Sequence, residues 1–396
     1  MSGWNLMFDL GGTYRAVSPK ETLDKIEPLL WDKFGISRVA NITGLDVLNI
    51  PTYIAIRPGS KILSTSQGKG ISHELAKISA IMESIESWHA ERLSSPKLVG
   101  SYRVLKPSYN LVELEQLING HFHLTADALY NLELSWVGGI ELNSGREVYF
   151  PSSLIDLDSL ILSSKRLGCF PGTSNGLASG NTYQEAVCHG LYEVIERHSW
   201  ALAETAKAAY VDPSSIKAAH LLELFNIMQA HEIKFKICDL TSANGVPAYS
   251  ATLFDLKGTR NLDFFSGAGA HLSSVVALSR AITEAVQSRL TMISGSRDDI
   301  YPANYKFKRK FYRNGFPKIE KLEPSYPFIE TEIPANFEAC IKDLLKRLKN
   351  QGFEQVIVYN HTRPELAIPV VHVIIPGMHF DWFKHKTQAY VPEYFC

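Results

Sequence analysis

The sequence predicts a mixed α/β (α+β) chain. Strand-like and helix-like segments alternate along its length, and no low-complexity linker divides it. One pattern, a small-residue loop running into a helix that bears paired acidic groups, occurs three times. The composition permits a large core: 396 residues, 45% hydrophobic and 20% charged, are ordinary for a globular protein. The length suits one large unit or two to three smaller ones.

The elements follow in order. Ser18-Pro19-Lys20-Glu21 carries an N-cap serine, a proline for the first helical position and the glutamate of a capping box. Ile26, Leu29 and Leu30 then give an apolar stripe. Arg38–Ile42 and Thr52–Ile56 read as strands separated by Gly44 and Pro51. Residues 111–132 show no clear period. Leu134–Leu142 and Glu147–Phe150 read as a hairpin around Asn143-Ser144-Gly145. Phe337–Leu348 is an amphipathic helix with Ile341, Leu344, Leu345 and Leu348 on one face. Val356–Tyr359 and Val370–Ile375 read as late strands.

Lys plus Arg is 40 and Asp plus Glu is 41, so neither a basic surface for nucleic acid nor an acidic tail is indicated. The five cysteines, Cys169, Cys188, Cys238, Cys340 and Cys396, contain no C-x-x-C pair and fit a reducing compartment. No apolar run approaches the roughly 20 residues of a membrane span. The start lacks a signal-peptide layout. The expectation is a cytoplasmic protein with no membrane or nucleic-acid partner.

The threefold pattern holds the chemistry. Gly68, Gly70, Ser72, Ala76, Glu83 and Glu86 form the first copy. Ala178, Gly180, Thr182, Ala186, Glu193 and Glu196 form the second, and Gly269, His271, Ser273, Ala277, Glu284 and Gln287 the third. The copies lie 110 and 91 residues apart, with every internal offset kept. Ser72, Thr182 and Ser273 are natural N-caps. The small residues before them are expected to let backbone approach a ligand. Groups three and seven apart share a helix face, so each helix presents its acids beside its alanine. A single Glu-x-x-Glu pair is usually a solvated face. Three copies behind the same loop chemistry point instead to a central site, in which buried carboxylates need a counter-charge. Oxygen ligands of this kind suit Mg²⁺ or Mn²⁺. Lys69, Arg197, Arg289 and Arg297 flank the pattern as candidate phosphate binders or salt-bridge partners of the nearby acids.

Other chemistries find no motif. There is no G-x-x-x-x-G-K-[ST] loop and no G-x-G-x-x-G. The 13 histidines form no H-E-x-x-H and have no cysteine partners, so zinc is not indicated. His121-Phe122-His123 reads as surface or packing. Cys188 and His189 are helix neighbours that diverge, and Cys188 reads as small core filler.

At these residues the sequence resembles the YcaO family. The matching blocks are Ser66-Gln67-Gly68-Lys69-Gly70 through Glu83-Ser84-Ile85-Glu86, then Ser174-Asn175-Gly176 through Glu193-Val194-Ile195-Glu196-Arg197, then Arg280-Ala281-Ile282-Thr283-Glu284 through Gln287-Ser288-Arg289. The likeness runs from about Arg15 to Pro376, leaving the chain a single YcaO-like region with repeat units near 66–92, 174–200 and 266–298 and a C-terminal helix, strands and tail over 337–396. The resemblance implies three related α/β subunits around a central ATP and Mg²⁺ site. It implies ATP-dependent phosphorylation of a peptide-backbone amide oxygen. The outcome is either an azoline ring, when a neighbouring Cys, Ser or Thr attacks, or a thioamide, when a sulfide equivalent does. Glu83, Glu86, Glu193 and Glu196 match the metal-binding carboxylates. Glu185, counted with the metal set, and Asn181 match further positions of the nucleotide site. Ser79 lies one turn before Glu83. Arg197 matches a phosphate-binding arginine, and Gln287 and Arg289 fall in the third block. Arg15 and Thr22 lie where the family has a basic residue and a hydroxyl near the phosphates, and Lys69 stands in the first loop. No catalytic acid or base is singled out.

Gly12-Thr13-Tyr14-Arg15, Thr43-Gly44-Leu45-Asp46, Ser87-Trp88-His89-Ala90-Glu91 and Ile368-Pro369-Val370-Val371 resemble the members found with a TfuA partner, some of which make thioamides. The last residues, Tyr390 to Cys396, depart from the Pro-x-Pro-x-Pro tail of many ring-forming members. The expected partners are a precursor peptide and a TfuA-like or E1-like leader-peptide-binding protein; a homodimer is compatible with this. A non-catalytic peptide-docking subunit is the competing reading, distinguished by having no nucleotide affinity.

Overall fold

The computed structural model describes residues 7–93, 97–118, 125–159, 170, 172–203, 209–255, 264–305 and 325–378. His121, His123, Cys169 and the 390–396 tail lie outside them.

The chain opens with a small ladder of β1 (Phe8–Asp9) and β2 (Tyr14–Arg15), followed by α1 (Pro19–Ile26). The capping box forms as the sequence signals: Glu21 N–H donates to Ser18 Oγ at 3.3 Å, and Ser18 N–H donates to the Glu21 carboxylate at 2.9 Å. A three-stranded antiparallel sheet comes next, β3 (Arg38–Asn41), β4 (Thr52–Ile56) and β5 (Thr65–Lys69), and β5 turns into α2 (His73–Ala90).

The second unit contains β6 (Leu98–Ser101), the short helices α3 (Tyr102–Leu105) and α4 (Ala126–Asn131), β7 (Glu133–Glu141), β8 (Glu147–Pro151), β9 (Leu177–Ser179) and α5 (Tyr183–Ala203). The stretch without a clear period holds α4 and a 3-10 turn at Leu114–Leu117. The β7–β8 hairpin closes because the Glu141 carboxylate accepts the N–H groups of Asn143 and Ser144 at 2.9 and 2.7 Å.

The third unit contains β10 (Ala209–Asp212), α6 (Ala219–Ala230), β11 (Ile233–Asp239), β12 (Ala248–Asp255), β13 (Phe264–Ala270), α7 (Ser274–Ser294) and β14 (Ser325–Pro327), with its sheet ordered β13-β12-β11-β10-β14. Last come α8 (Phe337–Asn350), β15 (Ile357–Asn360) and β16 (Val370–Ile374). The C-terminal strands complete the second unit's sheet, ordered β6-β7-β15-β16-β9 with β8 on β7. Val356, Val358, Val371 and Val373 are buried there against Leu191 and Ile195 of α5 and Leu344 and Leu348 of α8.

Each sequence repeat is therefore one local device: the edge strand of a sheet running into a helix that folds back onto that sheet. The three caps are alike. Ser72 Oγ, Thr182 Oγ1 and Ser273 Oγ accept the N–H groups of Leu75, Glu185 and Val276 at 3.3, 3.1 and 3.4 Å. The small residues also serve the helix. A Cβ on Gly68 would lie 2.0 Å from Ala80 N, and one on Gly269 would lie 2.1 Å from Ala277 O. The strand and its helix touch backbone to backbone, which fixes how deep the acids lie.

The units close in a ring. Besides its own sheet, α2 touches β9, α5 touches β13 and α7 touches β5. Each helix thus rests on the leading strand of the next unit, and the acid-bearing faces converge on the centre. None of the described helices is long and apolar enough to cross a membrane.

Candidate functional site

The ring encloses a cavity of about 450 Å³. Its walls include Arg15, Lys69, Ser79, Glu83, Glu86, Asn181, Glu185, Glu193, Glu196, Arg197 and Gln287. Residues singled out from the pattern and from the family blocks thus meet in one place, although they span most of the chain.

Arg289 is the exception. Its side chain is 2% exposed, and Nε donates to both Asp46 oxygens at 3.0 and 2.9 Å while Nη2 donates to Asp255 at 3.0 Å. It ties α7 to the Thr43–Asp46 turn and to β12 and does not line the cavity. The physical reason is helix phase: five residues beyond Glu284, it points off the acid face. Arg280, four residues before Glu284, lies on that face and lines the cavity, with its buried Nε lacking a partner among the described residues. The helical spacing already carried this signal.

In the first and third copies the second group of the pair meets the neighbouring unit. Ser179 donates its N–H and hydroxyl to Glu86 Oε1 at 2.8 and 2.5 Å. Gln287 Nε2 donates to the Gln67 carbonyl at 2.9 Å. A carboxylate could not make that second bond, which explains the amide in the third copy. Glu196 is 3% exposed, and its Oε2 has no partner among the described residues. Arg197 stands 3.7 Å from its other oxygen.

Charge is crowded here. Burial, with Glu193 and Glu83 nearby, pushes the Glu86 carboxyl up to about 8 despite its bonds to Ser179. Burial pushes Glu193 to about 7, with Glu196 adding to the rise and Arg197 opposing it. Glu83 opens onto the cavity yet is enclosed by protein, and desolvation outweighs Lys69 and Arg297 in raising it to about 7. Glu284 behaves oppositely: burial resists its charge, but an ion pair with Lys69 and the nearby Arg197 and Arg280 hold it below the usual carboxylate range.

Glu185 differs from the other acids of the metal set. Its oxygens accept N–H groups from Ala16 and Asn181 at 3.1 and 3.2 Å and the Arg15 guanidinium at 3.3 Å. Arg15 also meets His189 Nε2 at 2.7 Å, and burial followed by Arg15 and Arg280 holds that imidazole neutral. Glu185 thereby anchors β2 and Arg15 to α5. Thr22 donates to Asn181 Oδ1 at 3.0 Å in the same corner.

The donor set fits a hard cation. The partnerless Glu196 oxygen and the raised carboxyls of Glu83, Glu86 and Glu193 would all be relieved by one. Among the described residues no three acids, histidines or cysteines form a ready-made metal cage. Sequence reasoning had not singled out Arg280, His189 or Ser179 as site residues. Cys188 is buried core, donating to the Phe337 carbonyl at 3.4 Å, as its reading as filler expects.

The comparisons with known proteins agree with this geometry. Residues 67–379 match the family YcaO cyclodehydratase, ATP- and Mg²⁺-binding. A protein of Rhizobium leguminosarum bv. trifolii, described by its place in the tfuA 3' region, is 36% identical over 385 residues, covering 93% of this chain and 89% of that one. The structure of YcaO from Methanopyrus kandleri bound with AMPPCP and Mg²⁺ superposes with a TM-score of 0.70 at 22% identity, over 95% of this chain and 94% of that one. A heterocyclase in complex with substrate and cofactor superposes with a TM-score of 0.74 at 20% identity, over 93% of this chain, which spans 53% of that chain's length. The chain belongs to the YcaO family, whose members bind ATP and Mg²⁺.

Proposed function

We propose that this protein uses Mg²⁺-bound ATP to activate a backbone amide of a ribosomally made peptide, for azoline formation or for thioamidation. The carrying observation is the convergence of Glu83, Glu86, Glu193 and Glu196, from two helices, on a cavity that Lys69, Arg197, Arg280 and Arg297 also line. Bound Mg²⁺–ATP would supply the phosphoryl group that makes the amide oxygen a leaving group. The four glutamates would hold the metal, and the Glu196 oxygen without a partner is the readiest ligand. Lys69, Arg197 and Arg280 would take phosphate oxygens and stabilise charge as it develops. Arg15, Thr22 and Asn181, fixed together by Glu185, would position the remainder of the nucleotide.

A TfuA-like partner is part of the reading, supported by the relative in the tfuA 3' region. The test is phosphate release and mass spectrometry of a co-expressed candidate peptide. The expected result is peptide-dependent ATP use with either loss of one water mass per site or exchange of oxygen for sulfur. Unmodified peptide with no ATP consumed, in the presence of the partner, overturns the reading. Calorimetry with ATP and Mg²⁺ that shows no binding favours a docking subunit.

A further inference from the structure

One part of the cavity wall carries no obvious chemistry. Ile62, Leu63, Met82 and Leu157 line it near Thr65 and Arg297. Ile62 is 42% exposed. A single exposed isoleucine is unremarked on most surfaces. The segment that displays this one is held in an unusual way.

Residues 57–64 form a strap tied at three places. Arg57, 2% exposed, makes paired bonds to the buried Glu91 at 2.7 and 2.6 Å. Glu91 also accepts Ser60 Oγ at 2.7 Å and Lys61 N–H at 3.0 Å. The Lys61 ammonium pairs with Asp158. At the far end, Ser64 donates its N–H and hydroxyl to Asp298 at 2.7 and 2.8 Å, and Thr65 donates to the Ser296 carbonyl at 3.2 Å. These ties involve polar groups only, and Ile62 is left facing the cavity. A surface fixed beforehand binds without the cost of ordering it.

The two ends of the cavity have different neighbours. Arg15 and Thr22 are bonded to Glu185, His189 and Asn181. The strap is bonded to residues 296–298. The strap end presents the apolar side chains of Ile62 and Leu63, where a polar side chain would be left without a partner.

We propose that the strap selects the substrate: Ile62 and Leu63 receive an apolar side chain of the peptide, next to the amide to be activated. This rests on the function proposed above. The test uses short dye-labelled peptides of one sequence that differ in the residue directly before a target Gly-Cys: Leu, Ser or Asp. Anisotropy with AMPPCP and Mg²⁺ present gives their affinities for the full chain and for its Ile62→Asn and Ile62→Leu variants. Calorimetry gives each protein's AMPPCP affinity separately. The expected result is a preference for the Leu peptide of about tenfold, kept in Ile62→Leu and lost in Ile62→Asn, with AMPPCP affinity the same in all three. Equal binding of the three peptides, binding of none, or a preference that survives Ile62→Asn overturns the proposal. Absent AMPPCP binding by the unaltered chain instead overturns the function beneath it.

Discussion

Arg289 offers a direct test of how charge is distributed in α7. Replacing it with Met keeps the stem but removes the guanidinium. The bonds to Asp46 and Asp255, at 2.9 to 3.0 Å, vanish. Asp46 is 5% exposed and would remain as a buried carboxylate, with the Val47 N–H at 2.8 Å as a remaining donor. Breaking a buried pair from one side costs about 3–5 kcal/mol. Asp255, whose side chain is 13% exposed, would also lose this partner in a largely buried setting. The assay is urea unfolding, with calorimetric ATP affinity measured on the folded protein. Arg289→Met is expected to lose stability by that amount while the remaining folded protein binds Mg²⁺–ATP as before. The double variant Arg289→Met, Asp46→Leu should regain much of the loss, because both charges leave the interior together. The reasoning fails if Arg289→Met leaves stability unchanged and weakens ATP binding.

Four further outcomes follow from the same geometry. Gln287→Glu sets a carboxylate against the Gln67 carbonyl and should cost about 2 kcal/mol in urea unfolding; unchanged stability would contradict the inter-unit bond. Glu196→Gln should abolish Mg²⁺-dependent nucleotide binding in calorimetry with little change in melting temperature, because Oε2 has no protein partner to lose and the other oxygen meets Arg197 only at 3.7 Å. Gly68→Ala places a Cβ 2.0 Å from Ala80 N and should destabilise by about 3 kcal/mol, read by thermal and urea unfolding. Burial resists the charge of Glu91, but Arg57 and Ser60 hold its carboxyl below its ordinary value. Its folded pKa is therefore depressed, so its stabilising contribution is complete above the ordinary carboxylate value and is lost as pH falls from there through the lowered folded value. Arg57→Ala should flatten this acid limb of the stability profile, and an unaltered limb would refute the assignment.

Much of the site was legible along the chain because its grammar is local. Cap, alanine and acid are fixed by hydrogen bonds and helix phase within about twenty residues, a scale on which sequence spacing is geometry. The capping box at Ser18, the β7–β8 hairpin and the three acid-bearing helices all follow from such short-range rules. Arg280 and Arg289 show where reading by proximity failed. Both flank the third pair, but only the phase of α7 puts Arg280 on the cavity side.

The sequence by itself determined the three repeated units, their caps, the acids they carry and the family. Only the tertiary structure decided which partner each acid meets. Glu185 is taken by Arg15, Ala16 and Asn181, and Glu284 by Lys69, whereas one Glu196 oxygen is left without a partner. It also placed β15 and β16 inside the second sheet, set the glycines against helix backbone, and brought the 57–64 strap to the cavity rim. The reason is range. A cap or a helix face is settled among neighbours, but the partner of a buried charge is set by which units close the ring, and those contacts join residues as far apart as Lys69 and Glu284.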